Sequence, residues 1–122
     1  MKLIRFLPMF DFGNSEDGNG YSPDMDILET DKEFVIEAEI PGASKEDFKL
    51  NVEDDVLTLE GEKKKEKQRF IFKESKEGRF KKRFSLPTDV DQDKIRAQFE
   101  NGVLRITIPK AKVLIPKEIN VN

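Results

Sequence analysis

The amino-acid sequence predicts an all-β fold, a β-sandwich, and three observations support this prediction. Apolar and polar residues alternate with a period of two from Met25 onward, turn-forming residues separate the alternating runs, and no long segment has the 3.6-residue period of a helix. Several short strands joined by turns are typical of sandwiches. The 122 residues are enough for one domain with short extensions.

The middle of the sequence predicts three strands. Residues 34–40 carry apolar side chains on one face and glutamates on the other, and Pro41-Gly42 ends this run. Residues 48–53 and 56–61 alternate in the same way on either side of Asp54-Asp55. The apolar side chains of these two strands should therefore share one buried face.

The C-terminal part of the predicted sandwich contains three further strands. Residues 80–86 alternate until Pro87, and residues 95–99 and 104–108 carry apolar side chains at every second position. The last two strands are separated by Asn101-Gly102, which is a strong hairpin signal because both positions of a type I′ turn need a positive φ. We therefore expect a hairpin whose turn is formed by Asn101 and Gly102.

The composition argues against several functions. The chain has no Cys and no His, so it lacks disulfides, the commonest general base and the commonest metal ligand. With 22 Lys and Arg against 25 Asp and Glu, the balance does not favour a nucleic-acid partner. One calcium-like spacing, from Asp89 to Glu100, has Lys94 where the sharp turn needs Gly. We expect no enzyme activity, no cofactor and no metal.

The N-terminal segment, residues 1–22, is predicted to be an apolar arm followed by a flexible linker rich in Gly, Asn, Ser and acids. Its candidate residues for contacts with other proteins are Phe6, Leu7, Met9, Phe10 and Phe12. Burial of these side chains on the sandwich itself is an equal alternative. Pro8 interrupts the apolar run, which is also far shorter than the roughly 20 residues that span a bilayer. A soluble, cytoplasmic protein is expected, and weak membrane association is left open.

Residues 62–79 form a loop that does not fit the spacing of the strands. Loops beyond about 12 to 15 residues are uncommon unless they bind something or are disordered. This loop opens with a charged run and then contains a strand-like segment, Arg69, Phe70, Ile71 and Phe72. A strand at the tip of a long loop can pair with the sheet edge of another subunit. This segment is therefore a candidate for pairing with another subunit.

The C-terminal tail, residues 111–122, is too short to be a domain. Ile119 and Val121 are two residues apart, so they lie on one side of an extended strand, and Pro116 favours extension before it. Burying them would gain about 1.5 to 3 kcal/mol per side chain, less about 1 to 2 kcal/mol for each backbone residue ordered. Such contacts hold only in multiples, which predicts an exchanging assembly. Val113 and Ile115 have the same spacing and are the alternative anchor.

Two segments, "PDMDILETDKEFVIEAEIPGASKEDFKLNVEDDVLTLEGEKK" and "GRFKKRFSLPTDVDQDKIRAQFENGVLRITIPK", resemble the α-crystallin domain of the small heat shock proteins. The likeness covers residues 23–110, and "NGVLRITIPK" is its most specific part. Outside this domain, Ile119-Asn120-Val121 is similar to the C-terminal I-x-I/V motif of the same family.

The resemblance implies an immunoglobulin-like β-sandwich with a flexible arm and tail, and a homo-oligomer built from dimers. In such proteins the tail residues dock at the edge of a neighbouring sandwich, the loop strand is exchanged within the dimer, and the apolar arm helps to bind clients. The family usually has Arg at the centre of the strand where this sequence has Lys82. The dimer-interface role is carried over to Lys82, although Lys cannot make the bidentate carboxylate contacts that Arg can.

The predicted function is that of an ATP-independent holdase, which keeps partly unfolded client proteins soluble. An alternative is an adaptor sandwich of the co-chaperone type, which binds one folded partner stoichiometrically. Such an adaptor would need neither the loop at residues 62–79 nor the tail motif, and it should be a monomer.

Overall fold

The computed structural model describes residues 21–64, 68–111 and 120–121. These residues form two packed antiparallel sheets, one of four strands in the order β1-β2-β7-β6 and one of three in the order β3-β4-β5. The predicted all-β sandwich is therefore confirmed. Its strands are β1 (Asp24–Glu29), β2 (Glu33–Glu39), β3 (Phe48–Glu53), β4 (Val56–Lys63), β5 (Gly78–Ser85), β6 (Arg96–Glu100) and β7 (Val103–Pro109).

The core lies between the sheets and consists of the side chains that the period-two pattern places inward. Adjacent strands contribute matching rows, because residues directly opposite each other in an antiparallel pair point to the same face. Burial of each large side chain contributes about 1.5 to 3 kcal/mol relative to exposure. The buried residues are Phe34, Ile36, Ala38, Ile40, Leu57, Leu59, Phe80, Phe84, Leu86, Val90, Leu104, Ile106 and Ile108.

Two tight turns connect neighbouring strands through residues with positive φ. Asp54 and Asp55, with φ of 52° and 64°, join β3 to β4, and Asn101 and Gly102, with φ of 54° and 79°, join β6 to β7. The carbonyl of Gly102 accepts a hydrogen bond of 2.7 Å from the Ile40 amide, which ties the β6–β7 turn to the end of β2. Asp and Asn are among the non-glycine residues that adopt this backbone region most readily.

A single turn of 3₁₀ helix, Lys45–Asp47, precedes β3. Ser44 forms the cap: its amide donates to Asp47 Oδ2 at 2.9 Å, while the Asp47 amide donates to the Ser44 carbonyl at 2.9 Å. These reciprocal bonds satisfy backbone groups that would otherwise lack partners at the start of the turn. The turn lets the chain cross from the four-stranded sheet to the three-stranded one.

Tyr21 fixes the beginning of the described chain to the sandwich. Its hydroxyl donates to the Glu39 carbonyl at 2.7 Å, and its ring packs edge-to-face on Phe80 with centroids 5.9 Å apart. The ammonium of Lys63 lies 4.7 Å from the centre of the Tyr21 ring. Burial raises the pKa of the Tyr21 hydroxyl, and the negative charges of Asp24 and Glu39 raise it further.

Several predictions fall on residues outside the described ones and stay predictions. These are the arm residues Phe6, Leu7, Met9, Phe10 and Phe12, the tail residue Ile119, and the alternative anchors Val113 and Ile115. The proposed division into an arm (residues 1–22), a domain (23–110) and a tail (111–122) also stays a prediction.

Candidate functional site

The candidate site is a groove between the two sheets, where edge strand β3 of one sheet approaches edge strand β6 of the other. Its volume is about 210 Å³. This is below the roughly 300 to 1,000 Å³ of typical small-molecule pockets. The groove is lined by Lys45, Phe48, Lys49, Leu50, Ala97, Gln98, Phe99 and Leu104, and we call it the edge groove.

The floor of the edge groove is apolar because it is an open side of the core. Leu104 of β7 is 2% exposed and lies beneath the groove, whereas Phe48, Leu50 and Phe99 are half-buried at its sides. The rings of Phe48 and Phe99 meet edge-to-face, with centroids 5.1 Å apart, so the two sheets are in contact there. Ala97 of β6 is exposed and contributes a small apolar side chain to the lining.

The rim of the edge groove is polar. Lys45 and Lys49 stand on the β3 side and Gln98 on the β6 side. The ammonium of Lys49 is 3.5 Å from a carboxylate oxygen of Glu60, but the Lys49 side chain is 75% exposed, so this pair contributes little. An apolar floor with a cationic rim suits an extended peptide segment that carries apolar side chains at every second position.

The two strands beside the edge groove also offer backbone hydrogen bonds. Within the described residues, β3 pairs only with β4 and β6 pairs only with β7, so one side of each strand faces away from the sheet. Such edges readily accept a further strand. The site can therefore bind an extended segment through both its side chains and its backbone.

A larger and more open depression, of about 400 Å³, lies across the beginning of β3 and the neighbouring ends of β4 and β5. Charged residues of both signs dominate its wall, so an apolar segment entering it would have to desolvate them at a cost. We therefore regard the edge groove as the better candidate. The depression is lined by Glu46, Asp47, Phe48, Lys49, Glu60, Gly61, Glu62, Arg79 and Phe80.

The predicted loop strand, Arg69 to Phe72, contains no regular strand in the isolated chain. Ile71 is fully exposed and Phe72 is 76% exposed, whereas Phe70 is 40% exposed and has the Lys73 ammonium 5.5 Å from its ring centre. Three large apolar side chains in a row on the surface are unusual for a soluble monomer. Exchange of this segment stays a prediction, because a strand that pairs with another subunit has no partner within one chain.

Lys82, the predicted dimer-interface residue, lies on the inward row of β5 together with Phe80 and Phe84. It is opposite Leu59 of β4 and only 8% of it is exposed. Its side chain is therefore enclosed largely by its own subunit, while the neighbouring Arg83 is exposed. The interface role of Lys82 stays a prediction.

The sequence interpretation missed the residues of the edge groove. It assigned residues 95–99 to an inward-facing strand but did not foresee that this strand would be at an edge. A usable signal was the small Ala97, which stands between the larger Ile95 and Phe99 on the same face. Val121, the described member of the tail motif, is 94% exposed and touches no part of its own groove.

Comparisons with known proteins agree with this arrangement. Residues 26–122 match the Hsp20/alpha crystallin family. The chain is 39% identical over 105 residues to small heat shock protein C2 of Rickettsia felis, which covers 83% of this chain and 68% of that protein. It is 36% identical over 116 residues to the 16.9 kDa class I heat shock protein 1 of Triticum aestivum, covering 91% and 77%.

Solved structures give the same result. A small heat-shock protein from Xylella fastidiosa superimposes with a TM-score of 0.71 at 35% identity, covering 84% of this chain and 97% of that one. Heat shock protein 16.0 from Schizosaccharomyces pombe superimposes with a TM-score of 0.69 at 30% identity, covering 88% and 80%.

These matches identify the sandwich as an α-crystallin domain. The chain belongs to the Hsp20/alpha crystallin family, the small heat shock proteins. Small heat shock proteins are not enzymes, and they belong to the chaperones of the stress response. Within the described residues, no helix has the length and apolar character required to cross a membrane.

Proposed function

We propose that this protein is an ATP-independent holdase, which binds partly unfolded proteins and prevents their aggregation while it assembles from dimers. The observation that carries the proposal is the combination of an apolar edge groove with exposed apolar side chains on the loop. Surfaces of this kind bind other chains by burying apolar area, and this requires no nucleotide.

We propose that the edge groove binds the tail residues Ile119 and Val121 of another subunit. Their spacing of two matches a strand laid along β3 or β6, and the apolar floor at Leu104 would cover them. The gross gain of about 1.5 to 3 kcal/mol per side chain is largely offset by the ordering of the tail. Each contact would therefore open readily, and many contacts together would hold the assembly.

We propose that dimers form when the segment from Arg69 to Phe72 adds to a sheet edge of a second subunit. The exposure of Phe70, Ile71 and Phe72 supports this, since pairing would bury side chains that the isolated chain leaves in water. Lys82 and the N-terminal arm residues are proposed to act at the dimer interface and on clients, respectively. The Xylella fastidiosa relative is described as having a distinct high order structure.

The proposed function is tested with purified protein, a heat-labile client and no ATP. We expect light scattering by the heated client to fall as this protein is added, with native mass measured at the same temperatures. The matched variants are Ile119→Gly with Val121→Gly, which should reduce the mass toward dimers, and Lys117→Gly, which alters the tail without touching the motif. Undiminished client aggregation at equal mass ratio would reject the holdase function.

An adaptor that binds one folded partner is the second candidate. It would behave as a single particle of 14.1 kDa and leave client aggregation unchanged. The same experiment therefore separates the two functions. A cytoplasmic location is proposed as well, and fractionation of the source cells tests it, since one relative is a chloroplastic protein of Oryza sativa.

A further inference from the structure

Lys110 is the first residue after β7 and therefore the point at which the C-terminal tail leaves the sandwich. Its backbone is held on two sides. The amide of Lys110 donates to the Lys32 carbonyl at 2.8 Å, and Val90 forms an isolated bridge with Lys110 on the other side. The following amide, of Ala111, donates to the Asp89 carbonyl at 2.7 Å. The start of the tail is thus fixed between two separate turns.

The side chain of Lys110 is held as well. Its ammonium lies 2.8 Å from a carboxylate oxygen of Glu29, the last residue of edge strand β1, and 5.0 Å from the centre of the Phe34 ring. The exposed fraction is 5% for the Lys110 side chain and 20% for that of Glu29. Six other ion pairs between described residues each have at least one side chain more than a third exposed.

This degree of burial has a physical consequence. Removing an ammonium from water costs free energy unless the charge is paired. The Lys110 side chain is therefore held in the conformation in which it reaches Glu29. An apolar side chain of similar length would fill the same space without requiring that conformation. Buried ion pairs of this type are the ones that can specify a geometry while adding little stability.

We propose that the Glu29–Lys110 ion pair is a positioning device, which fixes the direction in which the C-terminal tail leaves the sandwich and thereby the number of subunits in the assembly. The inference rests on the proposed docking of the tail. It adds that residues outside the edge groove determine which neighbouring subunit the tail can reach. Neither Glu29 nor Lys110 lines the edge groove.

The test removes both charges and retains the volume, with the double variant Glu29→Gln and Lys110→Met. The thermal midpoint should move by less than about 5 °C, because replacing both partners of a buried pair is often neutral. The distribution of subunit numbers in native mass spectrometry should become about twofold wider or more, since the tails then reach neighbours at several angles. The control, Glu33→Gln with Arg96→Met, removes an exposed pair of the same sheet and should change neither quantity.

A second readout separates positioning from a general structural role. A synthetic peptide of residues 114–122 is titrated onto chains that carry Ile119→Gly and Val121→Gly, with and without the Glu29→Gln, Lys110→Met changes. The dissociation constant should be the same within about twofold, because the groove is intact. An affinity that falls together with the assembly would overturn the proposal, since the effect would then be a structural one on the groove.

The outcomes are distinct. In one outcome, Ile119→Gly with Val121→Gly shrinks the assembly, but Glu29→Gln with Lys110→Met leaves the parental size distribution. The positioning proposal is then wrong and tail docking stands. If neither variant changes the assembly, tail docking is wrong and the positioning proposal fails with it.

If the Glu29→Gln, Lys110→Met variant does not fold, the direction of the tail is measured with spin labels on a chain that retains the Glu29–Lys110 ion pair. Arg83→Cys and Val113→Cys are unique attachment sites because the chain has no other Cys. Labelled chains carrying the Gly substitutions in the tail are diluted into unlabelled ones. A narrow distance distribution supports a fixed tail direction, and one as wide as that of a free chain overturns it.

Discussion

Gly61 shows how one residue determines the packing of the three-stranded sheet. It lies in β4, opposite Phe48 of β3 and Phe80 of β5. The three residues form one row across the sheet, in which Gly61 stands between two large rings. A Cβ atom at Gly61 would lie 2.6 Å from the Asp47 carbonyl oxygen and 2.6 Å from the Cβ of Phe48. Because backbone atoms supply one of these contacts, rotation of a side chain cannot relieve the overlap.

We therefore expect Gly61→Ala to destabilise the sandwich. Forcing an extra carbon into a packed site costs about 1 to 3 kcal/mol, which exceeds the roughly 0.4 to 1 kcal/mol gained by stiffening the unfolded chain. Urea unfolding followed by circular dichroism measures the difference. Glu62→Ala, on the adjacent outward-facing position, is the control and should remain within about 0.5 kcal/mol of the parent. An alanine variant as stable as the parent would contradict this packing.

Tyr21 gives a residue-scale prediction for pH. Since burial first, and then Asp24 and Glu39, raise the pKa of its hydroxyl, the folded protein should hold this proton more tightly than the unfolded chain does. The stability that Tyr21 contributes is then complete below about pH 10 and is lost as the pH rises through the folded value.

The chain contains one Tyr and no Trp, so tyrosinate absorbance reports Tyr21 alone. We expect its titration midpoint in the folded protein to lie above the midpoint in denaturant, which should be about 10. Restoring contact with water by Phe80→Ala, which removes the ring beneath Tyr21, should bring the two midpoints closer. Coincident midpoints in the parent would show that Tyr21 is not held as described.

At the scale of elements, local signals predicted the strands well. The alternation at residues 34–40 and 48–61 needs only neighbouring residues to be recognised, and β2, β3 and β4 follow from it. The Asn101-Gly102 pair also acts locally, and its two positive φ values are those of a tight hairpin turn. The role of Ser44 and Asp47 in capping the short helical turn is equally local.

Features that depend on distant residues could not be predicted in this way. The edge groove arises because β3 and β6 are edge strands of different sheets, and the gap between them is lined by side chains of both, with Leu104 beneath. The Glu29–Lys110 ion pair joins residues 81 positions apart. Neither feature has a periodic signature, because each depends on which strands become neighbours. The loop strand and the spacing of the tail residues were recognised from local patterns, whereas their exchange and docking were expected from the resemblance and stay predictions.

At the scale of the whole molecule, the edge groove and the exposed loop should make contacts of different strength with other chains. The edge groove has a small volume, about 210 Å³, which suits two side chains of a tail. The loop offers three exposed apolar residues together with backbone that can pair along a full strand. Pairing of the loop buries more surface and adds hydrogen bonds, so the dimer contact should be the stronger of the two.

This difference predicts an asymmetric response of the assembly. Replacing Ile119 and Val121 by Gly should leave particles of about twice 14.1 kDa, whereas deleting Arg69 to Phe72 should leave particles near 14.1 kDa although the tail is intact. A single tail contact is too weak to hold two chains, and without dimers the tails lose the multiple contacts on which they depend. Sedimentation velocity at several concentrations measures the masses. Replacing Glu74 and Lys76 by Ser, in the same exposed loop, should preserve the parental mass. Assemblies that survive the deletion but not the tail substitution would reverse the proposed order, because the tail would then be the primary contact.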